Sequence, residues 1–477
     1  MTRLAHSATR APSPIRGSRP SAARVLFTFL IFAASLAAYI YALQIAFSDF
    51  MAPRFGYMGW VYHDPDAMWM LASYLMLLAI AAFLPPRPVQ FSGYAAWFLY
   101  ATLLVPVATV PQYGSTRAPL DSFAFAGFCA VVWIVVVLIL RRRASLIVPI
   151  RTNGSALMWA LVIIISAMTY VYLAVVSGIS INIMSVFAIY DTRLAYRDEL
   201  IPTAPLLGYL ITNQGNVVNP FLMSFGAMKH RWLLVALGVV GQLVIYSTTG
   251  YKTALISIPL CLILVFLLKN RSSIIGSMIV FGIAALSWIS IVIDRIASLG
   301  LVDILVTRTF LTAGYLMSLY RDAYADGVWA LWDYSLLGPF VETQYTTSPG
   351  FYVGETMLGR PDVQLNASLF ADGYANLGLV GIGIEAVFLV VLFLLVDSAA
   401  RRVPTALVVS VGLLPVFALA NASPFSAVLS FGFGLMVLLF ALYPRDQSGY
   451  KDALWRGDSA EKTTMRRPPV RPIKSLK

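Results

Sequence analysis

Long uninterrupted runs of apolar residues, separated by short polar segments, dominate the hydrophobic pattern of the chain. A bilayer core is about 30 Å thick, so a helix rising about 1.5 Å per residue needs about 20 apolar residues to cross it. Because backbone groups in lipid must bond one another, and the runs are too long for barrel strands, we predict an all-α polytopic integral membrane protein. About twelve transmembrane helices are predicted, at residues 25–47, 67–84, 92–110, 122–140, 156–176, 205–228, 232–246, 253–268, 272–293, 376–396, 405–420 and 425–443.

The sixth run differs from the others in carrying four amide side chains, those of Asn213, Gln214, Asn216 and Asn219. Amide groups are costly in hydrocarbon unless they are hydrogen-bonded or face water. This run therefore either re-enters the membrane without crossing it or lines a wet cavity.

The composition supports a membrane protein and excludes several other classes. Hydrophobic residues make up 59% of the 477 residues and charged residues 12%, whereas soluble domains average about 25% charged. The two cysteines, Cys129 and Cys261, lie inside apolar runs, so no disulfide framework is expected. The net charge of +12 sits mostly between the runs, where it reflects topology, and we expect no nucleic-acid partner.

The placement of Lys and Arg gives one consistent orientation. With the N-terminus inside, 25 of the 34 basic residues fall in short cytoplasmic segments or tails. The acidic residues show the reverse distribution, with 16 of 22 outside. We therefore predict both termini to be cytoplasmic, with basic tails at 1–24 and 444–477.

Two external connections are long enough to carry function, at 177–204 and at 294–375. The first lies within a nine-helix membrane region, 25–293, and the second precedes a three-helix region, 376–443. The large loop contains an apolar stripe at helical spacing over 315–331, which predicts an amphipathic helix on or near the membrane surface. The working face is therefore expected to be external.

Candidate metal and cofactor residues are sparse. The three histidines fall on both sides of the membrane, and no phosphate-binding glycine loop is present, so we expect no cofactor and no metal. Asp64-Pro65-Asp66 could bind a divalent cation, as such pairs do in integral-membrane sugar transferases, or could simply begin a helix. Glu385 lies inside the tenth run, where a carboxyl group is costly and faces a cavity or a partner.

Three features of the chain resemble the Wzy-type O-antigen polymerases, also called oligosaccharide repeat-unit polymerases. The first is the layout, with many spans, a modest external loop and a dominant late one. The second is the turn STTGYKTALISIPLCLILVF, which carries Lys252 where the family commonly has Arg; lysine offers a point charge, not a bidentate fork. The third is NASLFADGYANLGLVG, which leads from the large loop into the next helix.

The resemblance implies a membrane glycosyltransferase that polymerises polyprenyl-pyrophosphate-linked oligosaccharide repeat units outside a bacterial cytoplasmic membrane. The product would be O-antigen, capsule or exopolysaccharide. Its partners would be these lipid-linked oligosaccharides, membrane lipids and a chain-length regulator. Because pyrophosphate is already a good leaving group, such an enzyme needs cations to stabilise developing charge and a base for the acceptor hydroxyl.

The resemblance implies roles for particular side chains. The candidate base is Asp372, placed at the membrane mouth and ranked ahead of Glu355 and Glu342. The cations that could hold pyrophosphate are Arg193, Arg197, Lys252, Arg308 and Arg321. Candidates for contact with sugars are Tyr374, Asn366 and Asn376 through hydrogen bonds and Trp332 through stacking.

Three other functions stay open. An O-antigen ligase shares the architecture and the donor, but the histidine that family carries in the large loop is missing here. A lipid-linked oligosaccharide flippase or transporter also suits many spans, although no internal repeat is visible. A monosaccharide transferase would use Asp64 and Asp66.

The orientation can be tested by cysteine labelling. In a variant without Cys129 and Cys261, a cysteine placed within 294–375 should react with a membrane-impermeant maleimide in intact cells. A cysteine in the 444–477 tail, the control, should react only after the membrane is opened. A loop cysteine reached only from the cytosol would overturn the external assignment.

Overall fold

The computed structural model describes residues 22–142, 154–179, 181, 192, 196, 204–269, 276–335, 338–343 and 345–444. Within these ranges the protein is helical and contains no strand, as the apolar pattern predicts. The helices in chain order are α1 (Ala22–Ile45), α2 (Ala67–Ala81), α3 (Phe91–Gly114), α4 (Pro119–Arg141), α5 (Ser155–Val176), α6 (205–228), α7 (Trp232–Thr249), α8 (Lys252–Lys269), α9 (Ser277–Ala297), α10 (Val302–Ala323), α11 (Pro349–Leu358), α12 (Leu369–Ala399), α13 (Thr405–Ala418), α14 (Pro424–Ser430) and α15 (Phe433–Ala441).

Nine helices of the described residues are long and apolar enough to cross a membrane, or ten if the bent pair α14 and α15 forms one span. Eight of the nine coincide with predicted runs. Three other predicted runs are not among the nine. Those at α2 and α13 form helices of only 15 and 14 residues, and the run at α6 contains the four amide side chains. A polytopic membrane protein is thus supported, while the count of twelve and the orientation stay predictions.

The one helix of the nine that matches no predicted run is α10. The expected surface helix over 315–331 instead begins at Val302 and ends at Ala323, and most of its side chains are buried against α3, α11 and α12. An apolar stripe identifies one face of a helix, but only the tertiary structure shows that the opposite face is covered as well. Length and composition alone would let α10 cross a membrane, but its two ends pair with Arg54 and Asp121, which both lie in connections predicted to be external.

A carboxylate fixes the tight connection between α9 and α10. Asp294 Oδ1 accepts a hydrogen bond from the Leu301 amide at 2.9 Å, and Oδ2 accepts one from the Val302 amide at 2.7 Å. Ser298 adopts a left-handed conformation with φ of 50° between the two helices. Because the first amides of a helix have no partner within it, this carboxylate satisfies the start of α10.

The amides of α6 belong to a buried polar network that joins α5, α6, α7 and α8. Gln214 donates to Asn219 at 2.8 Å, Asn219 donates to Gln242 at 3.3 Å, and Gln242 donates to Ser257 at 2.6 Å. All four side chains are at most 1% exposed. Because these groups satisfy one another, α6 tolerates polar side chains inside a helical bundle.

Two glycine substitutions should change stability in opposite directions. A Cβ on Gly314 would lie 2.3 Å from the Pro106 carbonyl oxygen, whereas a Cβ on Gly282 would meet no atom within 4 Å. Gly282→Ala should stabilise the protein by about 0.5–1 kcal/mol because alanine favours a helix, while Gly314→Ala should destabilise it. Thermal unfolding in detergent measures both; equal shifts would contradict the close packing of α10 on α3.

Candidate functional site

The candidate site forms where α12 breaks. Leu377 and Gly378 leave helical geometry, with φ and ψ of −159° and 35° and of 58° and −141° respectively. The positive φ of Gly378 is a conformation that residues with a Cβ rarely adopt. The break separates a first half, 369–376, from a second half, 379–399.

The two halves of α12 pack backbone against backbone. A Cβ on Gly373 would lie only 2.8 Å from the backbone of Gly381 and Ile382. Gly373 immediately follows Asp372, and Glu385 lies one turn beyond Gly381. The break therefore brings two carboxyl groups that are thirteen positions apart in the sequence into one region.

A loop that follows α10 forms hydrogen bonds with the end of the first half of α12. The Ala330 amide donates to the Ala375 carbonyl at 3.0 Å, and the Leu331 amide donates to the Asn376 carbonyl at 3.1 Å. These carbonyls are free because the helix does not continue past them. The loop therefore supplies the hydrogen bonds that the helix break removes.

Two consecutive loop residues are held in the left-handed region. Leu331 has a φ of 51° and Trp332 a φ of 58°, a conformation that costs about 1–3 kcal/mol for a residue other than glycine. The Trp332 amide donates to Asn376 Oδ1 at 2.7 Å, so this backbone shape is tied to the helix break. Strain of this kind clusters at functional sites and supports one here.

A compact polar cluster occupies the break. Tyr334 Oη donates to Asp372 Oδ1 at 2.6 Å. Asn376 Nδ2 lies 3.1 Å from Asp372 Oδ2 and 3.0 Å from Tyr334 Oη. Asp372 is 5% exposed and Asn376 fully buried, whereas Tyr334 is 39% exposed. Partial burial and the Asp372 carboxylate raise the pKa of Tyr334 above its ordinary value, so this hydroxyl stays a donor.

Glu385 joins the cluster from the second half of α12. Its side chain is fully buried and interacts with those of Asp372 and Trp332. Ser423 Oγ donates to Glu385 Oε1 at 3.1 Å. Among the described residues, neither Glu385 Oε2 nor Trp332 Nε1 has a hydrogen bond of good geometry.

A second broken helix borders the same region. Ser423 begins α14 by accepting a hydrogen bond from the Phe425 amide, and α14 and α15 meet at 61°. Asn213 donates to the Leu429 carbonyl at 2.8 Å, at the bend. The amides of α6 therefore satisfy backbone groups that the bend frees, and the cluster lies between two interrupted helices.

An open pocket of about 610 Å³ lies beside the helix break. Its walls include Tyr324, Trp329 and Tyr374, and the last two rings meet edge to face at 5.5 Å. The pocket also reaches Leu379 and Val380, whose side chains are 45% and 64% exposed. The pocket therefore combines aromatic rings with exposed aliphatic side chains.

Arg321 belongs to a separate ionic cluster. Its Nη2 donates to both oxygens of Asp121, at 3.2 and 3.0 Å, and its guanidinium lies 4.2 Å from the Phe125 ring centre. Arg117 donates to Asp121 and to Asp322. Partial burial lowers the pKa of Arg117, but these hydrogen bonds outweigh that effect and leave the pKa above its ordinary value. Arg321 is 7% exposed, and this cluster already balances its charge.

The structure brings three residues of the predicted site together, Asp372, Asn376 and Trp332, and places Tyr374 in the adjoining pocket. The other described candidates lie elsewhere: Glu342, Glu355, Asn366 and Arg308 are exposed, and Lys252 is half-buried at the start of α8. Arg193 and Arg197 lie outside the described residues.

The Asp64-Pro65-Asp66 motif is a helix start. Asp66 Oδ1 accepts hydrogen bonds from the Met68 and Trp69 amides, at 2.8 and 3.2 Å. This confirms the structural interpretation of Asp66 as an N-cap. In the part of the chain that the structure describes, no three His, Cys, Asp or Glu side chains gather into a potential metal site.

Sequence reasoning missed Tyr334, Ser423 and Asp121. Glu385 carried a signal, since an ionisable residue inside a span suggests function by default. Tyr334 and Ser423 carried none, because a tyrosine and a serine in polar connecting segments are common.

Comparison of the chain with protein-family models, curated proteins and solved structures finds no match.

The ionic cluster can be tested through stability. Arg321→Met should destabilise the protein by about 1–3 kcal/mol, because Asp121 loses a charged hydrogen-bonding partner. Arg308→Met, the control, removes an exposed arginine and should change stability by less than about 0.5 kcal/mol. Thermal unfolding in detergent measures both, and equal stability of the two variants would contradict a structural role for Arg321.

Proposed function

We propose that this protein is a membrane glycosyltransferase that polymerises polyprenyl-pyrophosphate-linked oligosaccharide repeat units at the external face of a bacterial cytoplasmic membrane. The donor is a growing chain on a lipid pyrophosphate, and the acceptor is a repeat unit on another such lipid. The product is O-antigen, capsule or exopolysaccharide.

One observation carries this proposal. Asp372 and Asn376, from the motif that resembles the polymerases, meet Trp332 and Tyr334 from the preceding segment in a single buried polar cluster. A pocket that combines aromatic rings with exposed aliphatic side chains lies at the same helix break, lined by Leu377 and Gly378 and not by the side chains of the cluster. A lipid-linked sugar needs both kinds of surface, and glycosyl transfer to its hydroxyl needs a carboxylate base.

The chemistry follows from this arrangement. Asp372 accepts the proton of the acceptor hydroxyl while that oxygen attacks the anomeric carbon of the donor. The bond from this carbon to pyrophosphate breaks, and a cation stabilises the negative charge that develops on the leaving group. Arg193 and Arg197 are the candidates for that cation, because Arg308 lies away from the cluster and Arg321 is already paired with Asp121.

A flippase or transporter of lipid-linked oligosaccharides is the second candidate. It is favoured by the two interrupted helices, α12 and the pair α14–α15, which meet near buried carboxyl groups. Discontinuous helices of this kind form the substrate and ion sites of many transporters. A transporter makes no glycosidic bond, so its product differs from that of a polymerase. An O-antigen ligase would make such a bond, but with lipid A-core as the acceptor.

The polymerase assignment predicts the effect of Asp372→Asn. With purified protein and lipid-linked repeat units, this variant should lose chain elongation at every substrate concentration, because an amide cannot accept the hydroxyl proton. Glu355→Gln, which alters an exposed carboxylate, should elongate at the wild-type rate. Gel ladders of polymer length measure both, and wild-type ladders from Asp372→Asn would reject its role as the base.

Metal independence is a separate expectation. A chelator of divalent cations should leave elongation in this assay unchanged, because Asp372 and protein cations would perform the chemistry. Loss of activity on chelation, restored by added Mg²⁺ or Mn²⁺, would contradict this and direct attention to Asp64.

A further inference from the structure

We propose that Tyr334 carries the proton from the acceptor hydroxyl to Asp372, so that Tyr334 contacts the substrate and Asp372 acts from behind it. This inference rests on the proposed glycosyltransferase function and adds a catalytic residue that the sequence did not indicate.

Differences in exposure within the cluster lead to this assignment. Asp372 is 5% exposed, and Asn376 and Glu385 are fully buried. Tyr334 is 39% exposed as a residue and is therefore the member of this group with surface open to the outside. Since Tyr334 Oη lies 2.6 Å from Asp372 Oδ1, it also covers the carboxylate oxygen that would otherwise meet the substrate.

The hydrogen bonds of the tyrosine hydroxyl leave room for one more partner. A phenol has one O–H to donate and two lone pairs that accept. Tyr334 donates to Asp372 at 2.6 Å and accepts from Asn376 Nδ2 at 3.0 Å. The remaining lone pair is therefore suited to accept the hydroxyl proton of an incoming sugar.

The backbone around Tyr334 holds this geometry. Leu331 and Trp332 keep positive φ, and the amides of Ala330, Leu331 and Trp332 bond to the end of the first half of α12. The loop thus cannot slide along the helix without losing three hydrogen bonds. Reacting groups held in this way need no reorganisation when the substrate arrives.

The proposed step balances in atoms and charge. The acceptor O–H bond breaks, its proton moves to Tyr334 Oη, and the original Tyr334 proton moves to Asp372 Oδ1. The acceptor oxygen forms the glycosidic bond as the bond between the anomeric carbon and pyrophosphate breaks, and the electron pair leaves with pyrophosphate. Asp372 ends protonated and Tyr334 is regenerated, and the reverse relay returns the proton to solvent after release.

Among the described residues, the other titratable groups that face Asp372 are Glu385 on the second half of α12 and two tyrosines near the end of α10, Tyr320 and Tyr324. Tyr320 Oη donates to the Leu365 carbonyl at 2.9 Å and is fully engaged away from the pocket. Tyr324 lines the pocket beside the helix break, but it is 0% exposed, whereas Tyr334 is 39% exposed. Of these three tyrosines, Tyr334 therefore presents the most surface to a substrate.

The test compares two tyrosines of the same region that make equally short hydrogen bonds. Tyr334→Phe removes the 2.6 Å bond to Asp372, and Tyr345→Phe removes a 2.6 Å bond to the Val328 carbonyl. With lipid-linked repeat units, Tyr334→Phe should lower kcat about 10²–10⁴-fold at unchanged KM for the acceptor. Tyr345→Phe should keep the wild-type kcat.

Two further measurements separate proton transfer from a structural role. Adding Asp372→Asn to Tyr334→Phe should cause no further loss, since both changes interrupt one relay. Replacing Tyr334 with 3-fluorotyrosine, which has nearly the same shape but a more acidic phenol, should move the pH–rate profile to lower pH. A tyrosine that only supports the fold would leave the profile unmoved.

Specific results would overturn the relay. Wild-type kcat from Tyr334→Phe, with Asp372→Asn inactive, would show that Asp372 acts without Tyr334. If Tyr334→Phe fails to fold, as thermal unfolding would reveal, an unmoved pH profile of the 3-fluorotyrosine protein rejects the relay. Failure of the wild-type protein to elongate any lipid-linked repeat unit would instead reject the proposed function itself.

Discussion

The candidate site depends on the interruption of α12 at Leu377 and Gly378. A helix that stops inside a protein leaves its last carbonyls without partners, and an unpaired buried carbonyl is costly. The amides of Ala330 and Leu331 remove this cost by bonding to the freed carbonyls of Ala375 and Asn376. Backbone hydrogen bonds therefore hold the loop that bears Trp332 and Tyr334 against the helix, independently of the chemistry of its side chains.

The same interruption accounts for the gathering of polar groups. An unbroken helix would place Asp372 and Glu385 about 20 Å apart, at about 1.5 Å per residue. The close approach of Gly373 to Gly381 folds the two halves against each other and brings both carboxyl groups into one cluster. Polar groups that pair with one another can remain in a membrane bundle, as the network around Gln242 shows elsewhere in the fold.

The two arginine environments show why sequence position is a poor guide to chemistry. Arg321 and Arg308 lie on the same helix and looked equivalent as cations near the membrane. The structure pairs Arg321 with Asp121 and stacks it on Phe125, while it leaves Arg308 exposed. A cation neutralised within the fold contributes to stability, whereas an exposed one is available to a negatively charged ligand.

The sequence by itself determined that the chain is a helical membrane protein, because apolar runs of about 20 residues have few other stable forms. It also singled out Asp372, Asn376 and Trp332, and it identified Glu385 as an unusual buried charge. Residue type and spacing alone were sufficient for the spans and for Glu385, whereas Asp372, Asn376 and Trp332 were singled out through the resemblance to the polymerases.

Only the tertiary structure decided which of these residues meet. In the sequence, Gly378, where the helix breaks, looks like an ordinary packing glycine. Nothing in the pattern of the loop indicates that the Tyr334 hydroxyl lies 2.6 Å from the Asp372 carboxylate. The burial of α10 was likewise invisible, because hydrophobic periodicity reports one face of a helix and not what packs on the other. Contacts between distant segments arise from backbone geometry and packing, and local composition does not determine either of them.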